Sequence, residues 1–503
     1  MTDLDHLISS FSSDDQQLFI AFLEKKNKRK DAKNIALFKL ISKQSLSAKD
    51  ICSSLYGRQN KVAYHALRKR LFQSVIDFIA TKNLAEESTT EMQLIKLLIA
   101  ARACMTIKQY NAAYKILDKA EIVAKEHSLF SILNEIYHTK IQFSYAYSNS
   151  DLEQYISDYK NNKNNALLED QLNIVYAKIR QTLNNINYKG AIINFETLIN
   201  NTFKEHNISQ DNAITFKALY QIMSIVSLSA FVTNDFYKIE SFLLKQYALL
   251  KTHKNRNKQQ FYHIQILYII ANTLFRNKKF DKALVYINQM FIQLNLNKKK
   301  HYNNFILKHN LLKGLILNYT NKQTEAIILL ENSIKKKHTD IESLLDIHLG
   351  LIMIYIQFED FKKAKQILSK LYHTDHYYET KAGKDWVIKK SLADIILNIE
   401  LGNIDLVDSR LRSFKRSYNT YLKTINQQRV ITYLSFVELY YKNPEQVTST
   451  KYKNKIEDAF IWIEAQREDI FVMSFYAWLK SKMDNKPLYY TTLSLIETAK
   501  TVN

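Results

Sequence analysis

The chain of 503 residues, 46% of them hydrophobic, exceeds the roughly 250–300 residues over which one compact core usually grows, so several domains or one elongated array are expected. Six glycines and two prolines (Pro444 and Pro487) leave few turn-makers for sheets with tight hairpins, and the abundant Leu, Ile, Lys, Glu, Gln and Ala favour helix along nearly the whole length. A formal net charge of +22 suits an acidic partner, but only 13 of the 71 basic residues are Arg, the side chain whose planar fork base-edge and phosphate recognition favours.

The N-terminus, MTDLDHLISS, carries acids where a secretory signal needs bases. The longest apolar run, Leu349 to Phe358, is interrupted by Gln357 and falls short of the roughly 18 residues of a membrane span. Cys52 and Cys104 are too few for a disulfide framework or a Cys-based zinc site and are expected as buried free thiols. A reduced cytoplasmic setting without a membrane span is the expectation.

Residues 1–85 predict a helical bundle, with helices over Leu4–Phe11, Asp14–Lys25, Lys33–Lys43 and Val62–Thr81 and a short helical turn at Ala48–Leu55. The stretch from Ala48 to Ile79 has the outline of a helix-turn-helix, with Gly57 in the turn. Arg58, Lys61, His65, Arg68, Lys69 and Arg70 would give its second helix a basic face of the kind that enters a nucleic-acid groove. Ala63, Leu67, Leu71, Val75 and Phe78 recur at helical spacing on the same helix and commit half of it to packing. A solvated basic face is therefore the preferred reading over a DNA reader.

From residue 86 onward a pattern recurs: an apolar helix, a short polar turn, an aromatic or aliphatic residue and, three positions later, usually a small residue in a second helix. It is clearest in LYIIANTLFRNKKFDKALVYINQM, Leu267 to Met290, with Ala271 in the first helix, Asn277-Lys278-Lys279 as the turn, then Phe280, Ala283, Ile287 and Met290. This order resembles the tetratricopeptide repeat, in which small residues let the two helices of a hairpin approach closely. Ala101, Tyr110, Ala113, Leu117 and Ala120 keep the same offsets, as do more loosely Gly314, Ala326, Leu330 and Ser333, and Tyr355, Phe361, Ala364 and Leu368. Second-helix anchors fall at Ala113, Tyr155, Ala191, Ile239, Ala283, Ala326, Ala364, Val407 and Ala459, at intervals of 36 to 52 residues. A tetratricopeptide unit is about 34 residues, so these units carry longer helices or loops. The resemblance implies an all-α, right-handed superhelical array of hairpins over residues 86–503, with capping helices that include Trp478. The bundle and the closing stretch Asp469–Lys480 also resemble the ends of large bacterial helical-repeat proteins, a likeness that carries no function.

No phosphate-binding, dinucleotide-binding, nucleophile-elbow or H-E-x-x-H motif is present, so neither an enzyme nor a cofactor is expected. His373, Asp375 and His376 are the tightest histidine group, but they are expected in a solvated loop between hairpins and not as metal ligands. His253, His263, His301 and His309 lie among dense lysines and read as surface residues.

Residues 251–310 hold ten Lys and two Arg against one acid, Asp281. Lys254/Arg256/Lys258, Lys298/Lys299/Lys300 and Lys335/Lys336/Lys337 each follow the second helix of one hairpin and precede the first of the next, so in a solenoid they would line one edge as a positive ridge. The expected function is a protein-interaction scaffold that takes a peptide or helix, acidic ones included, on the concave face lined by first helices. The alternative is a nucleic-acid-linked regulator using the basic bundle or the lysine ridge, with the repeats sensing a peptide.

Overall fold

The computed structural model describes residues 3–9, 11, 13–26, 33–42, 47–57, 60–86, 90–189, 204–205, 216–233, 236–250, 259–336, 338, 340–425, 427–459 and 468–501. Its fold is all-α, as expected, with no strand among the described residues. The chain divides into two compact units, residues 1–163 and 164–503.

The first unit begins with α1 (Asp3–Ser9), α2 (Ser13–Lys26), α3 (Lys33–Ser42), α4 (Ala48–Tyr56) and α5 (Lys61–Glu86). Their aromatic core centres on Phe19, whose ring lies 4.9 Å from Phe38 and 5.1 Å from Phe78. The predicted stripe on α5 faces this core, with Leu67, Leu71, Val75 and Phe78 buried and Ala63 half-buried. Helix α4 starts with a capping box, in which Ser47 and Asp50 exchange side-chain and backbone hydrogen bonds, and stops at Gly57 in the left-handed region (φ 68°). Then follow α6 (Thr90–Thr106), α7 (Tyr110–Glu126), α8 (Phe130–Phe143) and α9 (Leu152–Lys189), the last extending into the second unit. Ala101, Ala113, Leu117 and Ala120 are fully buried in the α6–α7 seam, while Cys104, expected to be buried, is half-buried at its rim. Tyr155 is not a small seam residue: it is half-buried, with the Lys140 ammonium 5.0 Å from its ring.

The second unit continues with α10 (Phe216–Thr233), α11 (Tyr237–Leu250), α12 (Gln260–Arg276), α13 (Phe280–Asn295), α14 (Tyr302–Tyr319), α15 (Gln323–Ile334), α16 (Ile341–Gln357) and α17 (Phe361–Ser369). After these come α18 (Asp375–Ala382), α19 (Lys384–Glu400), α20 (Ile404–Thr424), α21 (Gln428–Lys442), α22 (Thr450–Ala459), α23 (Ile470–Asp484) and α24 (Leu488–Thr501). The anchors Ile239, Ala283, Ala326, Ala364 and Val407 are buried, the last four completely. Gly314 shows why the seam positions are small, because a Cβ added there would stand 2.8 Å from Leu330. Ala459 is a correction: it is exposed, and α22 instead buries Tyr452 and Ile456. Ala191 lies outside the described residues.

One turn recurs at six connections and explains why the anchors share a register. Between α6 and α7, α7 and α8, α12 and α13, α14 and α15, α16 and α17, and α19 and α20, three residues intervene, and the middle one is left-handed: Lys108, Ser128, Lys278, Asn321, Glu359 and Gly402, with φ from 53° to 68°. The third residue's N–H returns to a carbonyl five positions back, as in Gln109 to Cys104 (2.8 Å), Lys279 to Leu274 (2.9 Å) and Asp360 to Tyr355 (3.0 Å). This is the Schellman ending of a helix. Five positions after the left-handed residue stands the buried residue of the next helix: Ala113, Leu133, Ala283, Ala326, Ala364 or Val407. Replacing Ala283 by Phe overpacks a seam set by this geometry and is expected to lower stability by about 1–3 kcal/mol in a denaturant melt. An unchanged melt would remove Ala283 from the seam.

Candidate functional site

The expected basic face of α5 is only partly a free surface. Lys61, His65, Lys69 and Arg70 are exposed, and Arg58 lies outside the described residues. Arg68 is turned inward: its guanidinium bonds Asp5 at 2.8 Å and the Tyr64 hydroxyl at 3.2 Å, tying α5 to α1. It is thus a bundle clamp and no member of a solvated face. Arg68→Gln should cost about 1 kcal/mol by leaving Asp5 without its charge partner, whereas Lys69→Gln with Arg70→Gln should leave the melt within about 0.5 kcal/mol. Equal effects from the two variants would refute this division.

Lys298, Lys299 and Lys300 are exposed between α13 and α14, and Lys335 and Lys336 between α15 and α16. Lys254, Arg256, Lys258 and Lys337 lie outside the described residues. Asn297, Lys298 and Lys299 are consecutively left-handed (φ 49°, 54° and 60°), held by the Asn297 amide on Gln260 (2.9 Å).

The histidine expectations need correction. His263 and His309 are 2% and 1% exposed, because both sit on inward positions of first helices. The Tyr247 hydroxyl and His263 Nε2 are 3.1 Å apart, and His309 packs against Phe291, where burial pushes its imidazole down to about 4. His301 is half-buried, and His253 lies outside the described residues. His373, Asp375 and His376 are exposed as expected, with His373 in the connection after α17, but Asp375 and His376 open α18: Thr374 caps this helix, Asp375 pairs with Lys390 at 2.6 Å and the His373 ring stacks on Tyr377.

The densest polar constellation is one that sequence reasoning missed. Helix α23, expected to cap the array, lies against the first helices α12, α14, α16, α19 and α21. Asp469, at its N-cap, receives the N–H groups of Phe471 and Val472 and pairs with Arg276 of α12 at 2.5 Å. Glu468 pairs with Arg429 of α21 at 2.7 Å, and its carbonyl accepts from Lys278 Nζ at 3.1 Å. Ser474 Oγ lies 3.2 Å from the Tyr319 hydroxyl of α14 and accepts from Gln357 Nε2 of α16 at 3.1 Å. Tyr433 of α21 donates to the Phe475 carbonyl at 3.0 Å, and Trp478 Nε1 donates to Glu400 of α19 at 2.6 Å. Helix α24 turns back, and Tyr489 donates to the Asn318 carbonyl at the end of α14. Ile470 and Met473 join the α12–α14 core, while Phe475, Ala477, Trp478 and Leu479 join the core of α16, α19 and α21. The signal that could have found this seat is the run IFVMSFYAWL, apolar on every face and therefore unsuited to a half-exposed cap.

The seat has its own electrostatics. Burial would raise the Asp469 carboxyl, but Arg276, Lys389 and the two capping N–H groups outweigh it and hold it below the ordinary range. Lys278 is 2% exposed, and burial pushes its ammonium down to about 8 despite the opposing pull of Asp469 and Glu468. Between about pH 8 and 10.5 the unfolded chain then binds more protons at this site than the folded one, so stability rises with pH across that window. Lys278→Met is expected to be more stable than the parent at pH 7, by on the order of 1–3 kcal/mol, with the gap closing towards pH 10. A gap that does not change with pH would show that the Lys278 ammonium carries no such cost.

No known protein-family model matches the chain, and no curated protein is detectably similar to it in sequence. Among the described residues, no helix is long and apolar enough to cross a membrane, and no three His, Cys, Asp or Glu side chains converge as metal ligands.

Proposed function

We propose that the chain is a non-enzymatic protein-interaction scaffold, a right-handed superhelical array of tetratricopeptide-like hairpins that takes a helix or peptide of a partner protein on its concave face. One observation carries the reading: the first helices of five hairpins, α12, α14, α16, α19 and α21, jointly hold the largely buried, apolar helix α23 through side chains contributed by each. A surface that reads a helix in its own chain has the chemistry to read one in another. The turn repeated at six connections and the buried anchors support the repeat architecture.

The exposed Lys298–Lys300 and Lys335–Lys336 clusters, in successive connections between hairpins, suit the capture of an acidic partner. Their effect belongs to association and fades with salt over a Debye length of about 8 Å. Lys61, Lys69 and Arg70 keep the nucleic-acid-linked regulator as the second reading. Retention on heparin and on mixed RNA across a salt series separates the two. A scaffold should be retained weakly, whereas a nucleic-acid binder using six or more phosphate contacts loses orders of magnitude in affinity between about 50 and 200 mM salt. Affinity of that steepness, abolished by Lys298→Glu, Lys299→Glu and Lys300→Glu together, would overturn the scaffold assignment.

A further inference from the structure

Resting on that reading of the hairpin face, we infer that residues 468–501 are a resident, displaceable ligand of the array, and that the partner presents a largely apolar helix of the same chemistry. Its marks are an acidic pair at the helix N-terminus, as in Glu468-Asp469, a small hydroxyl residue at the fifth helical position, as in Ser474, and a tryptophan four residues later on the same face, as in Trp478.

Three observations bear on how this seat is held. The first is its chemistry. The seat of α23 is read by Arg276, Tyr319, Gln357, Glu400 and Tyr433 beside its apolar contacts, the mixture of apolar anchors and polar contacts typical of interfaces between separate molecules. The second is its cost. The Lys278 ammonium is enclosed against the segment, with the Glu468 carbonyl 3.1 Å away, so part of the gain from apolar burial is cancelled. The third is incomplete filling. A pocket of about 510 Å³ stays open beside Trp478, bordered by Glu400, Tyr440, Pro444 and Lys482. An internal ligand held at high effective concentration tolerates such imperfections, and a better-fitting external helix displaces it.

The test uses the full chain with a protease site placed between Ala459 and Glu468. Cutting leaves the segment as a separate polypeptide, and exchange is followed by the fluorescence anisotropy of a labelled synthetic peptide spanning residues 468–501. The cut pair should stay together in gel filtration, the labelled peptide should exchange in, and the uncut chain should take it up about 100-fold less at equal concentration. A peptide carrying Asp469→Lys and Trp478→Ala should bind at least about ten-fold more weakly than the parent peptide. The inference fails if the label never enters the cut protein, if the segment leaves only as the array loses its helical circular dichroism, or if the doubly substituted peptide enters as well as the parent. Either of the first two results makes the segment a fixed structural element and leaves the scaffold with its binding face elsewhere, and the third removes Asp469 and Trp478 as the marks of the ligand. Steep, lysine-dependent heparin binding removes the scaffold assignment whatever the peptide does.

Discussion

Everything in the hairpin region depends on where a second helix begins relative to the end of the first. The three-residue turn with a left-handed middle residue sets that phase, because its returning hydrogen bonds leave one geometry for the chain to re-enter helix. Once the phase is set, the fifth residue after the left-handed position must face the seam, and only a side chain of suitable size fits there. Left-handed backbone costs an L-residue roughly 1–2 kcal/mol, and five of the six turns bear it at Lys, Ser, Asn or Glu, with glycine only at 402. The strain persists because the burial of each seam outweighs it.

How far this could be read in advance varies by position. Ala113, Ala283, Ala326, Ala364 and Val407 are legible because core-facing spacing and the turn reinforce one another locally. Ala459 fails because an alanine is compatible with both a seam and a surface, and nothing near it forces the choice. His263 and His309 fail for a different reason: surrounding lysines suggest solvent, but helical phase decides burial, and both histidines fall on the inward face. Arg68 looks like its neighbours Lys69 and Arg70 until Asp5, 63 residues away, is known to lie opposite. The seat of α23 is the extreme case. The closing stretch Asp469–Lys480 reads as a capping helix, yet no local signal says that Asp469 will meet Arg276, 193 residues earlier.

The charges divide into two populations with different work. Arg68, Arg276 and Arg429 are spent on pairs inside the fold, where their planar forks hold carboxylates of distant segments. The exposed lysines at 298–300 and 335–336 carry solvated charge at the surface. The division is not absolute, since Lys140 and Lys278 are buried and Arg70 is exposed.

Contact between α23 and five earlier hairpins also sets an order of events. An array whose units touch only their neighbours can close unit by unit as it is synthesised. Here the face of α12, α14, α16, α19 and α21 is sealed by residues that follow all of them in the chain. Until residues 468–501 emerge, the side chains that hold them, Tyr319, Gln357 and Tyr433 among them, lack those contacts. On the scaffold reading, a partner helix made nearby before the segment would meet an empty seat instead of an occupied one.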